Sequence, residues 1–272
     1  MSTFRDYEHA GWEDADVCSA YQDRLGPVVA QVIDPLLDAV TVAASDAVLD
    51  VATGSGVVAV AAAARGAVVR GLDFSARQVR RAAAEHPEIT FEVGEADALP
   101  FGAGSFDVVV SSFGVPHFPD PEAFFSESVR VLRPGGRFAF TVWAAPDVSK
   151  GFEILYGAIQ RYGSLDVGLP PGPHFFRYAD VETSTLSLAE AGFEDVRGVV
   201  VPQTWALRSP DDLFDSIYHG TVRAAALLKR QPADALRRIR DSVRAATEQF
   251  LDGDRYRVSM PAVLVTGTKR TA

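Results

Sequence analysis

The sequence predicts an α/β fold built on a parallel sheet with helices on both of its faces. Three observations carry this. From residue 46 to 143, short Val-rich apolar runs alternate with helical segments. The runs are continuous rather than alternating, as strands buried on both faces require. A glycine-bearing turn joins the first run directly to an Ala-rich helix. The chain has 272 residues, enough for a sizeable core. Its 47% apolar and 23% charged residues exclude disordered and fibrous classes. A net charge of −10 argues against a general nucleic-acid or anionic-membrane binder, because both partners need a basic surface.

The elements follow in order. The first residues hold no apolar core of signal-peptide length, and the 57–64 apolar run is too short to span a bilayer, so a cytoplasmic protein is expected. After an acidic leader containing Trp12, the residues Tyr21, Leu25, Val28, Val29, Val32, Ile33, Leu36 and Leu37 share one face of a helix, interrupted locally at Pro27 and Pro35. Strands are expected at 47–51, 67–72, 89–93, 106–110 and 137–143, with helices at 57–65, 75–86 and 121–132 between them. Beyond Trp143 come a short helix and a Pro/Gly/aromatic loop at 169–178, then a helix over 180–191 stopped by Gly192. A sixth strand over 196–205, a helical stretch over 211–250 and a final strand over 256–268 complete the chain. The expected organisation is a helical cap at 1–45, a core at 46–145, a lid and helix at 146–195, and the last strands with a helical insertion (211–250) at 196–272.

The segment that carries chemistry is Val48-Leu-Asp-Val-Ala-Thr-Gly-Ser-Gly56, directly after a strand and before a helix. Gly54 and Gly56 let the backbone approach a ligand closely, and the helix beyond offers unpaired N–H groups. Asp73, at the end of the second strand, stands where an acidic side chain accepts from both hydroxyls of a ribose in nucleotide-binding doubly wound sheets.

Val48 to Gly56 resembles the first motif of class I S-adenosylmethionine-dependent methyltransferases, close to the Leu-Asp-Val-Ala-x-Gly-x-Gly form of the ubiquinone/menaquinone C-methyltransferases. Four further motifs follow in order: Gly71-Leu-Asp-Phe-Ser75, Gly94-Glu-Ala-Asp-Ala-Leu-Pro-Phe101, Ser105-Phe-Asp-Val-Val-Val-Ser-Ser112 and Val131-Leu-Arg-Pro-Gly-Gly136. The resemblance spans residues 48–143. It implies a Rossmann-like, doubly wound sheet of seven strands, mostly parallel with the last one antiparallel, plus an N-terminal helical cap and lid insertions. It also implies S-adenosylmethionine as cofactor and S-adenosylhomocysteine as product. Ala52, Thr53, Gly54 and Gly56 would pack around its methionine and ribose, Asp73 would hold the ribose hydroxyls, and Phe74 would touch the adenine. Asp97 would accept from the adenine amino group while the Ala98 N–H donates to a ring nitrogen. Ser111 or Ser112 would hold the methionine amine through its carbonyl. Many members carry Gly where this chain has Ala52, but Ala fits the subgroup.

Transfer from a sulfonium is an in-line displacement, so alignment and exclusion of water matter most, and a base is needed only where the acceptor must lose a proton. His117, in the loop after the fourth strand, is the candidate base; the other reading has it packed between Phe113 and Phe118. His174 and Phe176, with Phe175 and Tyr178, are candidates for the substrate wall, and so is Tyr21, which the alternative reading packs with Trp12 on the core. Residues 221–250 carry seven basic side chains against three acidic ones, either to steer an anionic acceptor or as the wet face of a helix. The single Cys18 excludes a disulfide framework and a multi-cysteine zinc site, and no metal is expected. The expected partner is a small-molecule methyl acceptor that is partly aromatic or apolar; a homodimer is left open. Other classes remain: a cyclase or isomerase-like protein using the cofactor as a scaffold, a non-catalytic cofactor-binding subunit, and, with a poor fit, a nicotinamide dehydrogenase.

Overall fold

The computed structural model describes residues 3–271 and, among them, ten strands. They are β1 (Ala47–Val51), β2 (Val68–Asp73), β3 (Thr90–Val93), β4 (Phe106–Ser112), β5 (Leu132–Trp143), β6 (Phe193–Val201), β7 (Thr204–Leu207), β8 (Leu251–Asp252), β9 (Arg255–Ser259) and β10 (Ala262–Lys269). The chain divides into two compact units, each assembled from separate stretches. Val32–Trp143, Gly172–Val201 and the residues from Ala262 onward form one; the residues up to Gln31, Ala144–Pro171 and Pro202–Pro261 form the other.

The first of these holds a seven-stranded sheet in the order β3-β2-β1-β4-β5-β10-β6. β1 to β5 run parallel, and β10 is antiparallel to both β5 and β6. The last strand is thus reversed, as expected, and it lies inside the sheet with β6 at the edge. Strand pleating sends alternate residues of β5 to opposite faces. Ala139 joins Leu36, Leu37, Val48, Val58, Ala62, Val108 and Leu264 on one side. Phe138 and Phe140 join Phe124, Phe125 and Phe193 on the other, with Phe138 and Phe193 stacked at 4.8 Å. These five rings are fully buried, each worth about 2–3 kcal/mol of transfer free energy. Opposite Gly267 of β10, β6 carries two residues, Asp195 and Val196, and Asp195 takes a left-handed φ of 52°: a β-bulge on the edge strand.

The other unit contains an antiparallel sheet in the order β7-β9-β8 and seven α-helices among its described residues, namely Phe4–Trp12, Ala15–Arg24, Gly26–Val29, Lys150–Tyr162, Asp212–Gly220, Arg223–Lys229 and Ala233–Glu248. Helix Ala15–Arg24 packs on Asp212–Gly220 so closely that a Cβ on Gly220 would stand 3.0 Å from the Tyr21 nitrogen.

Several expected elements are divided in the structure. The helix drawn through 21–37 is a series: Ala15–Arg24, Gly26–Val29, a 3-10 turn Ala30–Val32, and Ile33–Ala39. Its apolar stripe is buried as expected, from Leu25 to Leu37, but Pro27 and Pro35 have no N–H to continue the ladder. The leader before it is helical, capped by a reciprocal Thr3–Asp6 box. The strand expected at 196–205 is β6 and β7 in different sheets, and that at 256–268 is β9 and β10. Each break falls at a proline, Pro202 and Pro261, which cannot donate to a ladder. The helical stretch 211–250 is three helices, the last entered through Pro232. No helix among the described residues is long and apolar enough to cross a membrane.

Candidate functional site

Between β1 and helix Val57–Ala64 the backbone turns through three left-handed residues, Ala52 (φ 58°), Gly54 (55°) and Gly56 (84°). Gly56 is the helix N-cap and has no side chain of its own to cap the helix. A Cβ on Gly56 would meet Phe91 Cζ at 2.9 Å, so close approach as well as φ calls for glycine there. Thr53 N–H donates to the Leu72 carbonyl at 3.0 Å, tying the turn to β2. At the end of β2, Asp73 accepts the Gly54 N–H on Oδ2 and the Ser75 N–H on Oδ1, both at 2.9 Å, so one carboxylate is held between two turns.

Beneath the turn lies Asp50, 1% exposed. Its Oδ2 accepts the Thr53 hydroxyl at 2.6 Å and the Ala59 N–H at 3.2 Å; Oδ1 is buried with no hydrogen-bond partner among the described residues. Burial, aided by the neighbouring Asp73 charge, pushes the Asp50 carboxyl up to about 7.

The loop after β4 lies against the same turn. A Cβ on Gly114 would fall 2.6 Å from both Ala52 Cβ and Ser111 Oγ. Ser112 Oγ is 3.2 Å from Thr141 Oγ1, and the buried Ser111 Oγ has no hydrogen-bond partner among the described residues. Phe113, left-handed at φ 56°, donates its N–H to the Thr141 carbonyl and packs 4.2 Å from Trp143. His117 closes the 3-10 turn Val115–His117. Its ring is edge-on to Phe175 at 6.0 Å, and Phe175 is edge-on to Phe176 at 5.0 Å, with His174 6.2 Å from Phe176. His117 thus meets Phe175 of the aromatic segment.

That segment is anchored by Tyr178, whose buried phenol donates to Glu122 Oε1 at 2.9 Å while the Arg177 guanidinium reaches the same oxygen at 2.5 Å. Burial and the Glu122 carboxylate both raise the phenol above the ordinary tyrosine range. Asp97 and Ala98 sit in the turn after β3. The Ala98 N–H donates to the Glu95 carbonyl at 3.3 Å, and the next N–H, of Leu99, to Glu127. Arg130 holds the Leu99 and Phe101 carbonyls. Phe74 directly follows β2.

Ala52, Thr53, Gly54, Gly56, Asp73, Phe74 and Ser112 therefore gather at the carboxyl ends of β1, β2 and β4, the ligand-binding side of such sheets. His117 lies in the loop beyond β4, and His174 and Phe176 in the segment beside it. Tyr21 belongs to the other unit, edge-on to Trp12 at 5.3 Å, where burial raises its phenol above the usual range. Three of the seven basic side chains in the run are paired with carboxylates: Arg238 with Asp234, Arg240 with Asp211 and Asp215, and Arg244 with Asp211 and Glu248. Sequence reasoning passed over Asp50, Gln78 and Glu122. The first two carry a signal, a polar residue at an inward position of an otherwise apolar strand or helix face.

Residues 49–140 match the family described as a methyltransferase domain. A demethylmenaquinone methyltransferase of Clavibacter sepedonicus is 34% identical over 204 residues, 66% of this chain and 80% of the relative. Among solved structures, phosphoethanolamine N-methyltransferase 2 of Haemonchus contortus superposes with a TM-score of 0.60 at 19% identity, covering 99% of this chain and 61% of that one. A [4+2]-cyclase superposes with a TM-score of 0.60 at 19% identity over 100% of this chain and 98% of its own, a likeness of fold alone. With its turn, its acidic strand end and its relatives taken together, the chain belongs to the class I S-adenosylmethionine-dependent methyltransferases.

Proposed function

We propose that the protein moves a methyl group from S-adenosylmethionine to an oxygen, nitrogen or carbon of a small, partly aromatic or apolar acceptor, with the cofactor held at the carboxyl ends of β1, β2 and β4. The observation that carries this is Asp73, a carboxylate fixed by the Gly54 and Ser75 N–H groups directly beside a left-handed glycine turn. The donor set fits the cofactor: a carboxylate for ribose hydroxyls, open backbone where a Cβ would intrude, and buried polar atoms at Ser111 and Asp50 with no hydrogen-bond partner among the described residues. When bound, S-adenosylmethionine supplies an electrophilic methyl on a cationic sulfur.

The chain's own residues orient and shield. Ala52, Thr53, Gly54 and Gly56 wrap the methionine and ribose, Ser112 offers its carbonyl to the methionine amine, and Phe74, Asp97 and Ala98 take the adenine. His117 faces the acceptor and takes its proton where the acceptor has one to lose. Phe176 and His174 wall the acceptor, with Phe175 against the His117 ring. In a dry, aromatic-lined site the main contribution is alignment.

The test is calorimetric titration of S-adenosylmethionine into wild type and Asp73→Ala, followed by a screen of small aromatic acceptors read as S-adenosylhomocysteine formed. Micromolar binding that weakens at least about tenfold in the variant is expected, from the loss of the carboxylate that accepts the ribose hydroxyls. In the screen, His117→Asn should lower turnover and leave cofactor affinity unchanged. Equal binding by wild type and Asp73→Ala would overturn the placement, and bound cofactor that is never converted would overturn the transfer.

A further inference from the structure

Gln78 is a polar residue where packing calls for an apolar one. It stands at the third position of helix Ala76–Glu85, on the inward stripe with Val79 and Ala82, and is 6% exposed. Ser75 caps the helix by accepting the Gln78 backbone N–H at 3.2 Å, a bond in which the side chain takes no part. The carboxamide Oε1 is sealed from solvent and has no hydrogen-bond partner among the described residues. Its Nε2 lies 3.8 Å from the place a Cβ on Gly54 would occupy, so the amide rests against the glycine turn that Asp73 holds. A buried amide with an unmade hydrogen bond destabilises a fold, and a methionine of similar length would fill the same space without that cost.

We infer that Gln78 is a cofactor-binding residue, its carboxamide hydrogen-bonding a ribose hydroxyl of S-adenosylmethionine. The inference rests on the placement of the cofactor proposed above. A hydroxyl both donates and accepts, so it satisfies either end of an amide. Asp73, five residues earlier, is the acceptor for hydroxyls of the same sugar. Gln78 then trades stability of the cofactor-free protein for affinity, which a packing residue does not do.

The full chain tests this. Gln78→Met should unfold at the same or a higher temperature than wild type without cofactor, and should bind S-adenosylmethionine and S-adenosylhomocysteine about tenfold more weakly, the loss of one hydrogen bond. In wild type, the Gln78 side-chain NH2 resonance should move on titration with S-adenosylhomocysteine, a reading that needs no variant to fold. An affinity unchanged in Gln78→Met, or an NH2 resonance that stays still at saturation, overturns the inference. Asp73→Ala separates the two claims: weakened binding there with none in Gln78→Met removes Gln78 alone, whereas unchanged binding in both removes the placement and the inference with it.

Discussion

Asp50 makes the stability of this protein depend on pH in a direction opposite to most carboxylates. Its folded value of about 7 stands above the ordinary 3.8, because the carboxyl is buried and faces Asp73. The native state therefore binds a proton that the unfolded chain has released, and the stability this group contributes is fully present below pH 4 and lost as pH rises through 7. At 1.36 kcal/mol per pKa unit the whole span is worth about 4 kcal/mol, of which about 2 kcal/mol develops between pH 5.5 and 8. Asp50→Asn removes the titration and keeps an acceptor for the Thr53 hydroxyl and the Ala59 N–H. Urea unfolding of both proteins from pH 5.5 to 8.5 should show the variant gaining on wild type by about 2 kcal/mol as pH rises, levelling above pH 7. A stability difference that stays flat over that range would refute the reasoning, since every other titrating group is common to the two proteins.

Three further outcomes are expected. Gly56→Ala forces a left-handed alanine into Phe91 and should cost about 2 kcal/mol in urea unfolding; an unchanged midpoint would mean the turn relaxes freely. Tyr178→Phe removes the anchor to Glu122 and should lower stability by about 1 kcal/mol while speeding limited proteolysis within 172–176; cleavage at the wild-type rate would show the segment is held by its rings alone. Ser111→Ala deletes a buried hydroxyl that has no hydrogen-bond partner among the described residues and should hold or raise the cofactor-free melting temperature; a clear drop would reveal a bond that this hydroxyl makes.

The parallel sheet was legible because buried strands such as 47–51 and 106–110 read as near-continuous apolar runs, each broken by a single aspartate. The capping box Thr3–Asp6 was equally present in the sequence, within a leader read only as acidic and as part of a helical cap. What sequence pattern missed is non-local. Apolar residues continue on both sides of Pro202 and of Pro261, and only the pairing of β7 with β9 and of β6 with β10 shows that each run belongs to two sheets. The Tyr178–Glu122 bond spans 56 residues of chain, and the carboxylates facing Arg240 come from 25 or more residues upstream, so neither the anchored aromatic segment nor the partly paired basic run follows from local composition. Asp50 sat inside a motif read for ligand contact and Gln78 in the helix after the next one, where their inward positions carried the information.

The bulge at Asp195 and Val196 governs how this sheet ends. Beyond it β6 has only five residues, Arg197 to Val201, before Pro202 interrupts the backbone, and two of them, Val199 and Val200, are half-exposed. A foreign strand laid along that margin would find its register displaced at one end and a missing donor at the other. At the far margin β3 offers just four residues. An oily border is thereby kept from serving as a template for intermolecular sheet growth, and the protein can expose valines there without a tendency to form fibrils.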